Sequence, residues 1–241
     1  MNLLKIKVFK NLILPLIPML LWGSLFPFIK IGYSAFNINT ASIADILMFA
    51  ALRFAFCGLI VCGAAYLNGE NLKCPKYKNI FNITLMGVFA IVLHYSFAYV
   101  GLSLADSSKT AILKQLGALF YVCFAFIFVK NERFSIYKIL GALVGFCGII
   151  VINAGNGGIG FNLGDALIIL ASVCTVVANV MSKQFVKGNS PLWITGISQL
   201  TGGIILFIIA ITTGGNLPAF SIKGLLVFTY ICTASIIAYT V

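Results

Sequence analysis

Three cations stand where cations are expensive. Lys30, Arg53 and Lys114 each fall inside a long apolar run rather than beside one. If such a run crosses a bilayer, a charge within it persists only by facing water, a partner or an interface. At ~1.5 Å per residue, Arg53 and Lys114 lie roughly 10 Å below one membrane surface, and Lys30 lies nearer to it. The chemistry open to them is to hold an anionic group, such as a carboxylate, in a polar cavity. The other reading is a side chain that snorkels to the interface, with Asp45 or Asp106 as a structural partner. His94, Tyr95 and Tyr99 follow in the outer half of a third apolar run. His94, the single imidazole, reads either as a group titrating near neutral pH or as a satisfied packing residue. Trp22 reads as cavity wall or as interior packing. Asn179 and Gln199 either face each other across the fold or bond neighbouring helices, at ~0.6 kcal/mol each.

The same inventory excludes most enzymes. Asp45, Asp106 and Asp165 sit near span ends, and Glu70 and Glu132 in loops, so mid-membrane lacks a carboxylate proton relay. HExxH, GxSxG and Walker A motifs are all missing, and no catalytic residue is expected. Of the seven cysteines, six lie in apolar segments and Cys74 in a basic loop, with no CxxC. Neither disulfides, a metal site nor a cofactor is expected.

What positions these groups is a set of membrane helices. The 241 residues are 61% hydrophobic and 9% charged, whereas a soluble domain carries about 25% charged residues. The net charge of +11 comes from basic residues scattered between spans. It therefore reports membrane orientation and not nucleic acid. Apolar segments fall at 11–33, 43–67, 79–103, 107–129, 136–153, 165–186, 191–211 and 222–241, each near the ~20 residues a span needs. The first reads as a retained helix, since it holds Pro15, Pro18 and Pro27 and lacks a signal-peptide cleavage site. One side of the alternating loops carries Lys5, Lys7, Lys10, Lys73, Lys76, Lys78, Lys130, Arg133, Lys138, Lys183 and Lys187. The other side carries Lys109 and Lys223. That asymmetry sets the N-terminus in the cytoplasm.

Spans four and five form a hairpin over 104–153, turning at the charged residues 130–133. On the second helix, Gly141, Gly145 and Gly148 make a stripe that admits a close neighbour, and a homodimer through it is the expected protein partner. The G-x-G-x-x-G at 155–160 follows a membrane helix rather than a strand and reads as an outer loop. Asn82-Ile83-Thr84 matches a glycosylation acceptor but falls at the cytoplasmic start of span three. Neither motif carries function.

Internal repetition is faint but present. Residues 22–30 and 175–183 each close an apolar span on a lysine, and Gly58 in span two is echoed by Gly202 and Gly203 in span seven. With the two sets facing opposite ways, this suggests an inverted repeat. Here the sequence resembles the drug/metabolite transporter superfamily, in particular its EamA-type members. The resemblance is carried by 20–27 with Lys30, by Leu52-Arg53-Phe54, and by 99–102 through the Glu132-Arg133 turn to Gly141, Gly145 and Gly148. It implies an all-α membrane bundle of two inverted five-helix repeats: 1–153 as the first (spans 1–5) and 154–241 as a partial second (spans 6–8). The family pattern has ten helices, so the chain is expected to be cut within its eighth span.

The resemblance further implies a multi-pass protein of the inner (plasma) membrane. It would export small organic metabolites such as amino acids by alternating access. The substrate-cavity candidates are Trp22, Lys30, Arg53, His94, Tyr95, Lys114, Asn179 and Gln199, and the solute is anionic or zwitterionic. The alternative is a non-transporting remnant or packing subunit of the membrane.

Overall fold

The computed structural model describes residues 16–17, 20–21, 24–25, 27–70, 77–105, 113–114, 116–117, 119–123, 126, 135–153, 162–186, 189–219 and 221–240. Trp22, Asp106, the 130–133 turn, the 155–160 loop and Cys74 lie outside them. Among the described residues there are helices and no strand. These are α1 (helical at 27–35), α2 (Ile43–Leu67), α3 (Tyr77–Gly87), a π-helical turn (Val88–Leu93), α4 (His94–Leu104), α5 (helical at 113–114, 116–117 and 119–123), α6 (Ile136–Asn153), α7 (Leu163–Phe185), α8 (Pro191–Thr212) and α9 (Ile222–Thr240). The all-α membrane bundle expected from composition is what the chain forms. Ile43–Leu67, Ile80–Leu102, Leu163–Phe185 and Pro191–Thr212 are long and apolar enough to cross a membrane; Ile136–Gly148 and Ile222–Ile237 are shorter apolar helices.

The chain divides into two compact units, residues 1–72 with 190–241, and residues 73–189. The first is built on the α2/α8 pair. A Cβ added at Gly58 would stand 2.3 Å from the Leu200 nitrogen, one at Gly203 2.4 Å from the Ala55 nitrogen, and one at Gly196 2.9 Å from the Cys62 nitrogen. The contacts climb one helix while descending the other, so the pair is antiparallel. Lipid offers no hydrophobic drive to hold helices together, and backbone contact of this kind supplies packing instead. Both ends are tied. At one, the Asp45 carboxylate accepts from the Asn216 backbone nitrogen at 2.7 Å and from its Nδ2 at 3.2 Å. At the other, Trp193 Nε1 donates to the Glu70 carbonyl at 2.9 Å. There the Ser190 hydroxyl caps α8 and also donates to the Glu70 carboxylate. Rings join α1 and α9 to this pair: Phe28 stacks on Tyr230 at 4.0 Å, and Phe49 meets Phe228 edge-on at 5.9 Å.

The second unit is organised by α7. Its start is fixed by a reciprocal cap, in which Asn162 and Asp165 exchange side-chain and backbone bonds at 2.9 Å. Asn162 Nδ2 also donates to the Leu104 carbonyl that closes α4. Beside this cap Gly101 and Gly164 let α4 and α7 touch backbone to backbone, with added Cβ atoms falling 2.8–2.9 Å from carbonyl oxygens. Gly117 on α5 faces Ser172 of α7. The Gly141/Gly145/Gly148 stripe of α6 behaves differently: a Cβ at any of the three would meet nothing within 4 Å. No described part of the chain makes the close approach that the stripe permits.

One feature departs from the sequence reading of span three as a plain α-helix. The π-helical turn Val88–Leu93 interrupts it immediately before His94. A π turn takes one residue more than an α turn and occurs frequently at functional sites. Nothing in Val88-Phe89-Ala90-Ile91-Val92-Leu93 marks it, since the run holds no Gly, Pro or polar residue.

Candidate functional site

The polar candidates separate into two groups. In the first unit, Arg53 comes from the buried face of α2 and is 4% exposed, with its guanidinium carbon 4.4 Å from the Phe54 ring centroid. One turn on, Cys57 Sγ donates to the Cys232 carbonyl at 3.7 Å, joining α2 to α9. Gln199, on α8, is 3% exposed. Its Nε2 and Oε1 are buried and make no hydrogen bond to described residues. The α2/α8 register sets Arg53 and Gln199 about 9 Å apart along the axis, at ~1.5 Å per residue. Ser198 and Ser235 are buried too. Asp45, a sequence candidate for pairing with Arg53, is engaged by Asn216. Lys30 stands exposed on α1.

In the second unit, His94 is the hub. Its Nδ1 lies 3.0 Å from the Ala171 carbonyl and 2.8 Å from Thr175 Oγ1. The threonine oxygen is itself 3.2 Å from that carbonyl. The carbonyl can only accept, so the ring N–H or the threonine hydroxyl supplies the proton. Tyr95 meets the His94 ring edge-on at 4.9 Å, and Tyr99 lies 5.7 Å beyond Tyr95. Lys114 is exposed on α5. Its backbone carbonyl is within reach of the Ser172 hydroxyl, 3.4 Å away on α7. Asn179 is exposed one turn beyond Thr175 on the same helix.

The structure thus brings His94, Tyr95 and Lys114 to one site along α7. It sets Arg53 and Gln199 into the interior of the α2/α8 pair. Sequence reasoning missed Thr175, the partner of His94, although it stands one turn before Asn179 on one face of an apolar span. It also missed a second hydroxyl link, Ser24 Oγ to the Tyr230 hydroxyl at 2.8 Å. Among the described residues no cluster of three or more His, Cys, Asp or Glu side chains could hold a metal.

Comparison with known proteins agrees with this architecture. The EamA-like transporter family matches residues 9–154 and 162–241. The chain is 26% identical over 223 residues to the uncharacterized inner membrane transporter YedA of Escherichia coli K12, covering 91% of this chain and 68% of that protein. It is 25% identical over 187 residues to an uncharacterized transporter of Archaeoglobus fulgidus, covering 77% of this chain and 62% of that protein. The chain thus spans about two thirds of the length of these relatives. A crystal structure at 22% identity superposes with a TM-score of 0.67 over 89% of this chain and 78% of that one, which supports the fold alone. A multi-pass membrane chain without catalytic motifs, matched over nearly its whole length, belongs to the EamA-like transporter family.

Proposed function

We propose that this chain carries the solute-binding part of a secondary transporter for small organic metabolites with a carboxylate, amino acids among them. Arg53 supports this most directly. It is a cation 4% exposed inside an apolar span, and charged side chains within membrane spans mark substrate and ion pathways, as suits a chain of a transporter family. Gln199 adds to it. A buried amide is stable only when hydrogen-bonded, and a zwitterionic solute presents both a donor and an acceptor. On this reading Arg53, with Gln199 in the same unit, and Lys114, with Tyr95 and Asn179 in the other, are each a place where the polar groups of such a solute are held. His94 holds the polar face of α4 against α7. Export proceeds by alternating access, one half of the fold moving against the other.

The chain acts in the inner membrane with its N-terminus cytoplasmic, as the distribution of Lys and Arg supports. Labelling of intact cells with an impermeant thiol reagent should miss Cys74 and reach a cysteine introduced at Gly157. Labelling of Cys74 would reverse the orientation. The function is tested by comparing metabolites inside and outside cells with and without the gene. Carboxylate-bearing metabolites should accumulate inside cells that lack it. Identical profiles, repeated under amino-acid overload, would reject the export reading.

A further inference from the structure

Span three contains two halves that the sequence aligns and the structure does not. At 100° per residue, an uninterrupted α-helix would set Ile83, Met86, Gly87, His94, Ala98 and Gly101 within about 120° of arc, a single stripe. All but His94 are buried, and His94 is bonded to α7. The extra residue of the π turn rotates one half of that stripe by about 100° relative to the other. Val92 shows the rotation directly. An uninterrupted helix would place it opposite Ile83 and the rest of the stripe, yet it is 4% exposed.

The two halves are also held differently. The α4 half is clamped to α7 at both ends, by His94 with Ala171 and Thr175, and by Gly101 against Gly164. The α3 half is held by Ile83 and Met86 on one face, while Ile80 and Phe81 stand exposed. Gly87 stands immediately before the π turn, whose six residues hold no proline, glycine or inserted polar side chain. What holds it is the requirement that both halves dock at once.

We propose that span three is a two-state element, in which Val88–Leu93 converts between the π turn seen here and an α turn, swinging α3 about its axis while α4 stays on α7. The sequence stripe fits the α state and the observed contacts fit the π state, which is the pattern of a bistable helix. His94, Tyr95 and Lys114 lie at the junction, so the swing would change what covers that polar face. The inference rests on span three alone and stands whatever the chain transports.

The test uses the full chain in lipid nanodiscs, with a ketone-bearing amino acid at Phe81 and Val173 coupled to spin labels, leaving the native cysteines in place. Electron-spin distance measurements should give two populations. A 100° swing on a helix about 5–6 Å in radius moves the Phe81 label by roughly 8 Å. A control pair at Leu102 and Leu163, across the α4/α7 clamp, should give one. Deleting Ala90 removes the extra residue and should leave a single Phe81–Val173 population at the distance of the present structure. Val92→Ala removes apolar bulk that is buried in the π state and would lie opposite the stripe in the α state, and should enrich the other population. A single Phe81–Val173 distance, unchanged by Val92→Ala, would overturn the proposal even if the deletion variant fails to fold.

Discussion

The α2/α8 pair and the α4/α7 pair solve the same problem in opposite ways. Both must hold two apolar helices together where lipid competes equally well for their side chains. The α2/α8 pair does so along its length, with backbone contacts at Gly58, Gly196 and Gly203 and hydrogen bonds beyond each end. The α4/α7 pair has its backbone contact at one end only, at Gly101 and Gly164, and a histidine–threonine cluster near the other. Past that cluster the helix changes to a π turn. A pair notched throughout cannot rotate without separating, whereas a pair notched at one end leaves the far half of its helix free to turn. The difference assigns rigidity to α2/α8, where Arg53 and Gln199 are buried, and adaptability to span three.

The largest effect expected from this contrast is at Gly203. Gly203→Ala drives a methyl group to 2.4 Å from the Ala55 nitrogen, and backbone cannot step aside as a side-chain tip can. A loss of about 3 kcal/mol, the upper end of ordinary overpacking costs, is expected. Gly145→Ala, a chemically identical change on α6, opens into empty space and should alter stability by less than ~0.5 kcal/mol. Thermal unfolding in one detergent compares the two. Equal melting temperatures would end the claim that α2/α8 is held by backbone contact.

A smaller effect is expected where the pair is tied beyond its end. Asp45→Ala leaves the Asn216 backbone donor without its carboxylate and should cost about 2 kcal/mol, as bonds to charged groups do. Trp193→Phe removes a neutral bond to the Glu70 carbonyl at the opposite end, for ~1 kcal/mol. Denaturant titration of both variants ranks them. A Trp193→Phe loss exceeding that of Asp45→Ala would reverse the order of the two ties.

The positions of the helices were legible because membrane thickness dictates them. The apolar run 43–67 is α2 itself, and 191–211 differs from α8 by one residue. Ser42, Ser190 and Asn162 stand as caps where local chemistry would put them. What the sequence could not show was which surfaces meet. Gly141, Gly145 and Gly148 form the most conspicuous small-residue stripe, yet the closest approaches among the described residues are at Gly58, against Leu200, and at Gly203, against Ala55. A glycine states that a backbone can come near but not which one comes. The same holds for the site. The rarity of a membrane-embedded imidazole picked out His94, but its contact with Thr175 depends on helix register. That register depends on a π turn with no signature in its six residues. Those six residues are all apolar and hold neither glycine nor proline to announce it.

The central claim is that cations inside the membrane serve a solute, and Arg53 and Lys114 test it together. Native chain, Arg53→Leu and Lys114→Leu would be reconstituted into proteoliposomes at matched insertion. Release of preloaded radiolabelled amino acids would then be followed against protein-free vesicles. The account predicts faster release with the native chain, falling to the protein-free rate in both variants while their helical content and insertion stay unchanged. Release by both leucine variants at the native rate would contradict it.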